Sequence, residues 1–271
     1  MPSSSETAPG RPRKPFRPPA WAQEAGTPIA ILVVLFAVWE ASVWAFSVPR
    51  FILPAPSAIW TAATDNSAML AGHTMATART VLLGFTASIL LSLPIAVAIT
   101  SSRTMANTIY PMLVLTQSIP KVALAPILVV ILGANELPRV VITFLVAFFP
   151  LVLATAAGLK SAPAELLELG RACRASRWKE LWRIRLPYAV PFIFSGLKAA
   201  ITLSVVGAVV AEFVNADRGL GYLIVTSTAF FQVPLAWAAL MVLSLFGILL
   251  FQIVALVERV FFPWAAHEVR Q

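Results

Sequence analysis

The charged chemistry of this chain is concentrated in one place. Segment 164–187, AELLELGRACRASRWKELWRIRLP, carries six Lys/Arg and three Glu in a chain that is 59% hydrophobic. It is too polar to sit in a bilayer and too helix-like for a plain linker. It reads as an intracellular docking element on a membrane protein. A membrane-embedded enzyme would need a His cluster or paired intramembrane acids. The two histidines, His73 and His267, stand far apart without metal-ligand spacing, so no catalytic residue and no metal ligand is assigned. The single Cys173 excludes an intrachain disulfide. It reads as a small filler on an amphipathic helix rather than a reactive thiol. Glu40 lies within an apolar run. An intramembrane acid marks function by default, but a packing or interfacial Glu is the plainer reading.

The elements that must hold these groups are membrane spans. Only 12% of the 271 residues are charged, against about 25% in soluble domains, and the mean hydropathy is +0.85. Charge-free stretches cover 80–102, 140–159 and 219–257, each at or above the ~20 residues a helix needs to cross a bilayer. The weak alternating signal of a transmembrane barrel is absent. The reading is all-α, with about six spans near 28–48, 75–100, 108–132, 140–159, 190–211 and 234–257. Pro120 and Pro126 break the third, and such breaks are tolerated at membrane depth where the chain lines a cavity or packs on protein. Segment 49–75 is an outer loop with room for a short interfacial helix, and 212–233 is an outer segment apolar enough to dip back. No internal repeat shows a fixed period.

The net charge of +8 could suggest nucleic acid, but its distribution argues otherwise. Fourteen of 20 Lys/Arg fall on one side: Arg11, Arg13, Lys14, Arg17, Arg103, Lys160, the six of 164–187, Arg259 and Arg270. Only Arg50, Arg139 and Arg218 fall on the other. By the positive-inside rule both termini and the charged segment are cytoplasmic. Residues 1–27, rich in Pro, Ser and basic groups, read as a disordered tail. The run at 28–48 is too long for a signal-peptide core and reads as an uncleaved first span. A core at 49–260 follows, with its cytoplasmic loop at 161–187 and a tail at 261–271.

Within the charged segment, 164–171 and 176–184 favour helix. Pro163 suits a first turn and Pro187 blocks continuation. Glu165 and Glu168 lie where the helix dipole favours acids, Arg183 and Arg185 where it favours bases. Leu166, Leu167, Trp178, Leu181 and Trp182 supply apolar contacts. Two short helices of this kind fit a groove on a partner or lie on the bilayer surface.

On the residues alone the two are even; a resemblance carried by the pattern E-A-A, three residues, G, nine residues, I-x-L-P favours the groove. Glu168, Ile184, Leu186 and Pro187 match it in place; Leu169 and Gly170 replace the alanines and Arg174 replaces the glycine. FILPAPSAIW, SIPKVALAPILVVILGANE, FFPLVLATAAGL, LPYAVPFIFSGLKAAI and VVAEFVNADRGLGYLI extend the likeness over about 50–260. The chain resembles the binding-protein-dependent inner-membrane components, the permease subunits of bacterial ABC importers, close to the nitrate, sulfonate, taurine and thiamine-precursor pyrimidine branch. A left-handed Arg174 would cost ~1–2 kcal/mol, so either the turn differs in shape or it holds that strain.

What the resemblance implies is a transport subunit, not an enzyme, in the bacterial plasma membrane. A second copy, a cytoplasmic ABC ATPase dimer and an extracytoplasmic solute-binding protein are its expected partners, with the bilayer and no nucleic acid. The chain has no G-x-x-x-x-G-K-[ST] loop; ATP and Mg belong to the partner ATPase and no cofactor to this chain. The coupling element would comprise Glu165, Glu168, Leu169, Gly170, Arg174, Ala175, Ser176, Ile184, Leu186 and Pro187. Candidate pathway residues are Gln117, Ser118, Lys121, Lys198, Thr202, Ser204 and Glu212, with Gly219, Gly221 and Tyr222 in an outer gate. Lys121 faces a pathway or a subunit contact. Lys198, a lone cation within a span, is a positive element for an anionic substrate or a snorkelling lysine. A stand-alone carrier or channel would need no docking loop and would usually show inverted repeats. The substrate is a sulfonate, taurine or nitrate, or a pyrimidine-like or other aromatic solute, the uncharged pathway residues favouring the latter.

Overall fold

The computed structural model describes residues 20–264. Most of the expected tail 1–27, and the end of 261–271 with His267 and Arg270, lie outside them. The described residues form helices joined by short turns, with no strand among them: α1 (Ala20–Ala45), α2 (Pro56–Asp65), α3 (Ser67–Ser101), α4 (Arg103–Gln117), α5 (Ala125–Leu132), α6 (Glu136–Lys160), α7 (Ala164–Ala172), α8 (Arg177–Glu180), α9 (Leu186–Val214), α10 (Leu220–Ala229) and α11 (Val233–Phe261). Four helical stretches, Ser67–Ser101, Glu136–Lys160, Arg177–Val214 and Val233–Phe261, are long and apolar enough to cross a membrane. A fifth forms if Thr104–Gln117 and Lys121–Leu132, bent by 81°, make one span. The apolar stretch of α1, Ala30–Ala45, is shorter than that test requires.

The centre is α6, packed along both α3 and α9. Lipid tails are as apolar as leucine, so membrane helices associate through small residues that let backbones approach. A Cβ on Gly84 of α3 would come within 2.5 Å of Thr143 on α6, and one on Gly196 of α9 within 2.7 Å of Ala154. Ser88 of α3 adds a hydrogen bond across the contact, its Oγ donating to Phe144 O at 3.1 Å. Near the charged loop, Ala96, Ile99, Phe148, Val152, Leu159 and Ala189 fill the core. Toward the opposite end, Leu70, Val81, Ile201, Leu220 and Leu235 bring α10 and α11 onto α3 and α9.

Three expectations are corrected. Residues 49–75 are mostly helix, because no proline lies between Asn66 and Met75 and the helix runs through Gly72 without a break. Helix α3 therefore runs 35 residues, about 52 Å at 1.5 Å per residue. Pro126 breaks nothing: it occupies the first turn of α5, where its missing N–H costs no bond. The break lies instead at Ser118–Pro120, followed by a 3-10 turn at Lys121–Leu124. Pro187 does not end the second loop helix. A π-helical segment, Leu181–Arg185, precedes it, and Leu186 N–H bonds five residues back to Leu181 O. The widened turn relieves the clash a proline makes with the i−4 carbonyl, so helix runs on from Arg177 to Val214.

Glu40 of α1 takes the plainer of its two readings. Its carboxylate accepts from Ser57 Oγ at 2.7 Å and Ser57 N at 3.0 Å. It therefore caps the first turn of α2, whose own N-cap Ala55 offers no side-chain acceptor.

Candidate functional site

The sequence-selected residues gather at the two ends of the α6–α9 pair. At one end is the charged loop. Helix α7 buries none of its residues. Glu165 and Glu168 are exposed, and Leu169 is 60% exposed. Gly170 lies under Ile184, whose Cδ1 would be 3.1 Å from any added Cβ; this contact closes the two short helices on each other. The chain leaves α7 through a Schellman turn. Arg174 N donates to Arg171 O and Ala175 N to Gly170 O, both at 2.9 Å. The left-handed position of that turn belongs to Arg174, at φ +51°. The turn thus has its ordinary shape, and the arginine holds the strain. Ser176 then caps α8, its side chain accepting from Lys179 N at 3.3 Å. Leu186 and Pro187 open α9.

The loop is tied to the bundle at its C-terminal side. Arg185 Nη2 and Nε reach Glu180 Oε1 at 2.7 and 2.8 Å, and its Nη1 donates to Leu159 O near the end of α6. Outward, Trp178 and Trp182 form an edge-on pair with centroids 5.5 Å apart, exposed by 67% and 53%. Two exposed tryptophans on a loop whose acids Glu165 and Glu168 have no partner among the described residues fit a protein groove, since buried Trp and Arg anchor most interfaces.

At the opposite end, Glu212, Gly219 and Gly221 meet in a closed network with two residues that sequence reasoning did not connect to them. Glu212 is 2% exposed. Its Oε1 accepts from Thr77 Oγ1 at 2.8 Å and its Oε2 from Gly221 N at 2.7 Å. Thr77 Oγ1 in turn accepts from Leu220 N at 2.8 Å, and His73 Nδ1 from Gly219 N at 3.0 Å. The first three N–H groups around the start of α10 are thereby all satisfied by side chains, and the carboxylate lies at the positive end of the helix dipole. Both glycines are required by space. Gly219 is at φ +129°, and a Cβ there would collide with the Glu212 carboxylate; one on Gly221 would stand 2.8 Å from Val209 O. Tyr222 stacks on His73 with ring centroids 6.0 Å apart. Arg139 of α6 ties the preceding loop, donating to Arg218 O at 3.3 Å.

The remaining candidates divide. Gln117 and Ser118 are exposed at the bend of α4, and Lys121 Nζ lies 4.7 Å from the Phe149 ring centroid. Lys198 and Thr202 line a shallow depression on α9, facing Phe251. Lys198 is not alone: Nζ is 2.7 Å from Glu258 Oε2, and Glu258 is buried. Ser204 faces the chain's own core, fully buried and donating to Ala200 O at 2.8 Å, and Glu212 is likewise buried. Thr77 and His73 lie 135 or more residues from their partners, and Glu258 lies 60 from Lys198. The one signal for Glu258 was an acid just past a charge-free stretch.

A bundle of long apolar helices with an exposed, charged and aromatic loop between two of them defines a polytopic membrane protein. Residues 84–262 match the family described as binding-protein-dependent transport system inner membrane component. The chain belongs to that family of ABC transporter permeases. It is 34% identical over 245 residues to the riboflavin transport system permease protein RibX of Chloroflexus aurantiacus, covering 89% of this chain and 90% of that one. It is 32% identical over 242 residues to the formylaminopyrimidine transport permease protein ThiX of Halalkalibacterium halodurans, covering 89% and 96%. With the taurine transport system permease protein TauC of Escherichia coli it shares 27% over 243 residues, 87% and 88% of the two chains.

Proposed function

We propose that this chain is the membrane-spanning half of an ATP-driven importer in which two copies enclose the pathway. A binding protein delivers the solute on one side and two ATPase subunits dock on the loop at 161–187 on the other. ATP-driven closure of the ATPase dimer would drive the two loops together and rock α3 to α11 between two states, a population shift biased by nucleotide. The loop and both termini are assigned to the cytoplasm by the excess of Lys/Arg on that side. ATP and Mg are held by the ATPase and not by this chain.

The observation that carries this reading is the loop itself. It presents Glu165, Glu168, Leu169, Trp178 and Trp182 outward, while the Glu180–Arg185–Leu159 tie to α6 and Leu181 and Leu186, packed against the core, anchor its C-terminal side. Its position at the junction of α6 and α9 lets a push on the loop act directly on the central helix pair.

For the substrate we propose a small heteroaromatic solute. Two of the more similar relatives carry names for such solutes, riboflavin and formylaminopyrimidine, while the taurine relative is more distant. Pairing of Lys198 with Glu258 neutralises the cation that α9 would offer an anionic substrate.

The test is co-purification of the full chain with its ATPase, and ATP hydrolysis in nanodiscs, for wild type and Glu168→Arg. Loss of the ATPase and of coupling with an unchanged unfolding midpoint is expected. Unchanged association and coupling would reject the docking role.

A further inference from the structure

Behind the outward face of the loop a cleft of about 640 Å³ opens toward the turn between α3 and α4. One wall is the end of α3, Thr100 to Ser102; the other carries Arg171, Arg177 and Arg185 with Glu180. The charges do not balance. Arg185 is consumed by Glu180 and by Leu159 O. Arg171 and Arg177 are exposed and have no ion pair or hydrogen bond to any described residue. Two uncompensated guanidiniums therefore share one cleft. The hydroxyls of Thr100 and Ser101 are spent on carbonyls of their own helix. That of Ser102 accepts at 3.5 Å from Met105 N, so its proton is free to donate. The α4 helix starts at the same spot, adding the positive end of its dipole.

Two forked donors, a free hydroxyl and a helix start match a phosphate group, which guanidinium recognises through two parallel hydrogen bonds. We infer that this cleft binds a phosphate oxyanion, and its level in the molecule favours the headgroup phosphate of an acidic phospholipid. It lies where the apolar stretch Ser67–Ser101 ends and Arg177–Val214 begins, the depth at which lipid phosphates meet a span. Leu181 and Ala175 supply an apolar side to the same cleft. A basic pocket of this kind between spans is a recognised form of anionic-lipid site. The inference stands on the cleft alone and not on the docking role of the loop.

The test uses the full-length chain with its ATPase in nanodiscs of phosphatidylcholine, with and without phosphatidylglycerol. Retained lipid is read by native mass spectrometry. Wild type should retain phosphatidylglycerol selectively, and Arg171→Gln with Arg177→Gln should weaken retention about 25-fold, about fivefold per arginine. The double Lys variant, which keeps charge but loses the fork, should fall between them. Inorganic phosphate titrated into phosphatidylcholine discs separates the sources: binding as tight as that of the lipid, lost in the Gln variant, supports the phosphate site and makes its ligand soluble. The Lys variant and phosphate competition on wild type decide the matter if the Gln variant does not fold. No selective binding of either probe by wild type overturns the inference. So does equal binding by the Gln variant, or loss of the ATPase from that variant with lipid retention intact, which would assign the arginines to the protein contact.

Discussion

At the α10 end of the molecule, Gly219, Leu220 and Gly221 each give their N–H to a side chain from another element, and the acceptor that joins them, Glu212, is 2% exposed. At the loop end, α7 buries no residue, its acids have no partner among the described residues, and its exit turn places an arginine where glycine is the favoured residue. Both ends finish the same two helices. One is over-determined by hydrogen bonds in a water-poor interior; the other keeps its polar and aromatic groups free. A segment that must hold its place against α3 and α9 gains from the first arrangement. A segment that must present its surface to a partner needs the second. Substitutions at the α10 end should therefore cost stability, and substitutions at the loop should cost coupling.

Glu212→Ala puts the largest strain on this contrast. It leaves Gly221 N–H and the Thr77 hydroxyl without their buried acceptor, each worth about 1–3 kcal/mol. A loss of about 3 kcal/mol in unfolding free energy in detergent is expected, with Glu212→Gln losing roughly half as much because one carbonyl oxygen remains. A Glu212→Ala chain as stable as wild type would break the comparison outright.

Gly219→Ala should cost about 2 kcal/mol. The φ of +129° is denied to alanine, and the new methyl would displace the carboxylate. Thermal unfolding measures it. Combined with Glu212→Ala it should cost less than the sum, because the collision is with the group already removed. Full additivity would mean that the two residues are not one unit.

How far this contrast could be read beforehand depends on the range of the interactions. The spans were legible because a charge-free run over 140–159 or 219–257 is a local property. The loop was legible for the same reason, but at Arg174 spacing left open a differently shaped turn or a strained one, and only the backbone decides for strain. What spacing alone could not show were the partners of Glu212 and Lys198, since Thr77 and Glu258 reach them across the bundle. Nor could it show that Ser204 faces inward while Thr202, two residues earlier, faces out, because that is decided by which side of α9 meets α6. Pro187 misled because the rule that proline stops a helix assumes an α-helix before it, and here a π-helical turn precedes it.

Arg174→Gly has the smallest expected effect and the opposite sign. A non-glycine residue in the left-handed region carries about 1–2 kcal/mol of strain, while glycine gives back about 0.5–1 kcal/mol in unfolded-state entropy. The net is a gain of about 1 kcal/mol. In so exposed a segment it acts on local opening rather than on the global unfolding midpoint. Amide exchange over Ala164–Ala172 should slow about fivefold, which is that same energy at 25 °C, while exchange in α10 stays unchanged. If α7 is held in reserve by its strained exit, the stiffened loop should also change the ATPase turnover that accompanies transport. If exchange in α10 slowed as well, the two ends would be one cooperative unit, and the division of labour between a fixed end and a presented end would have to be abandoned.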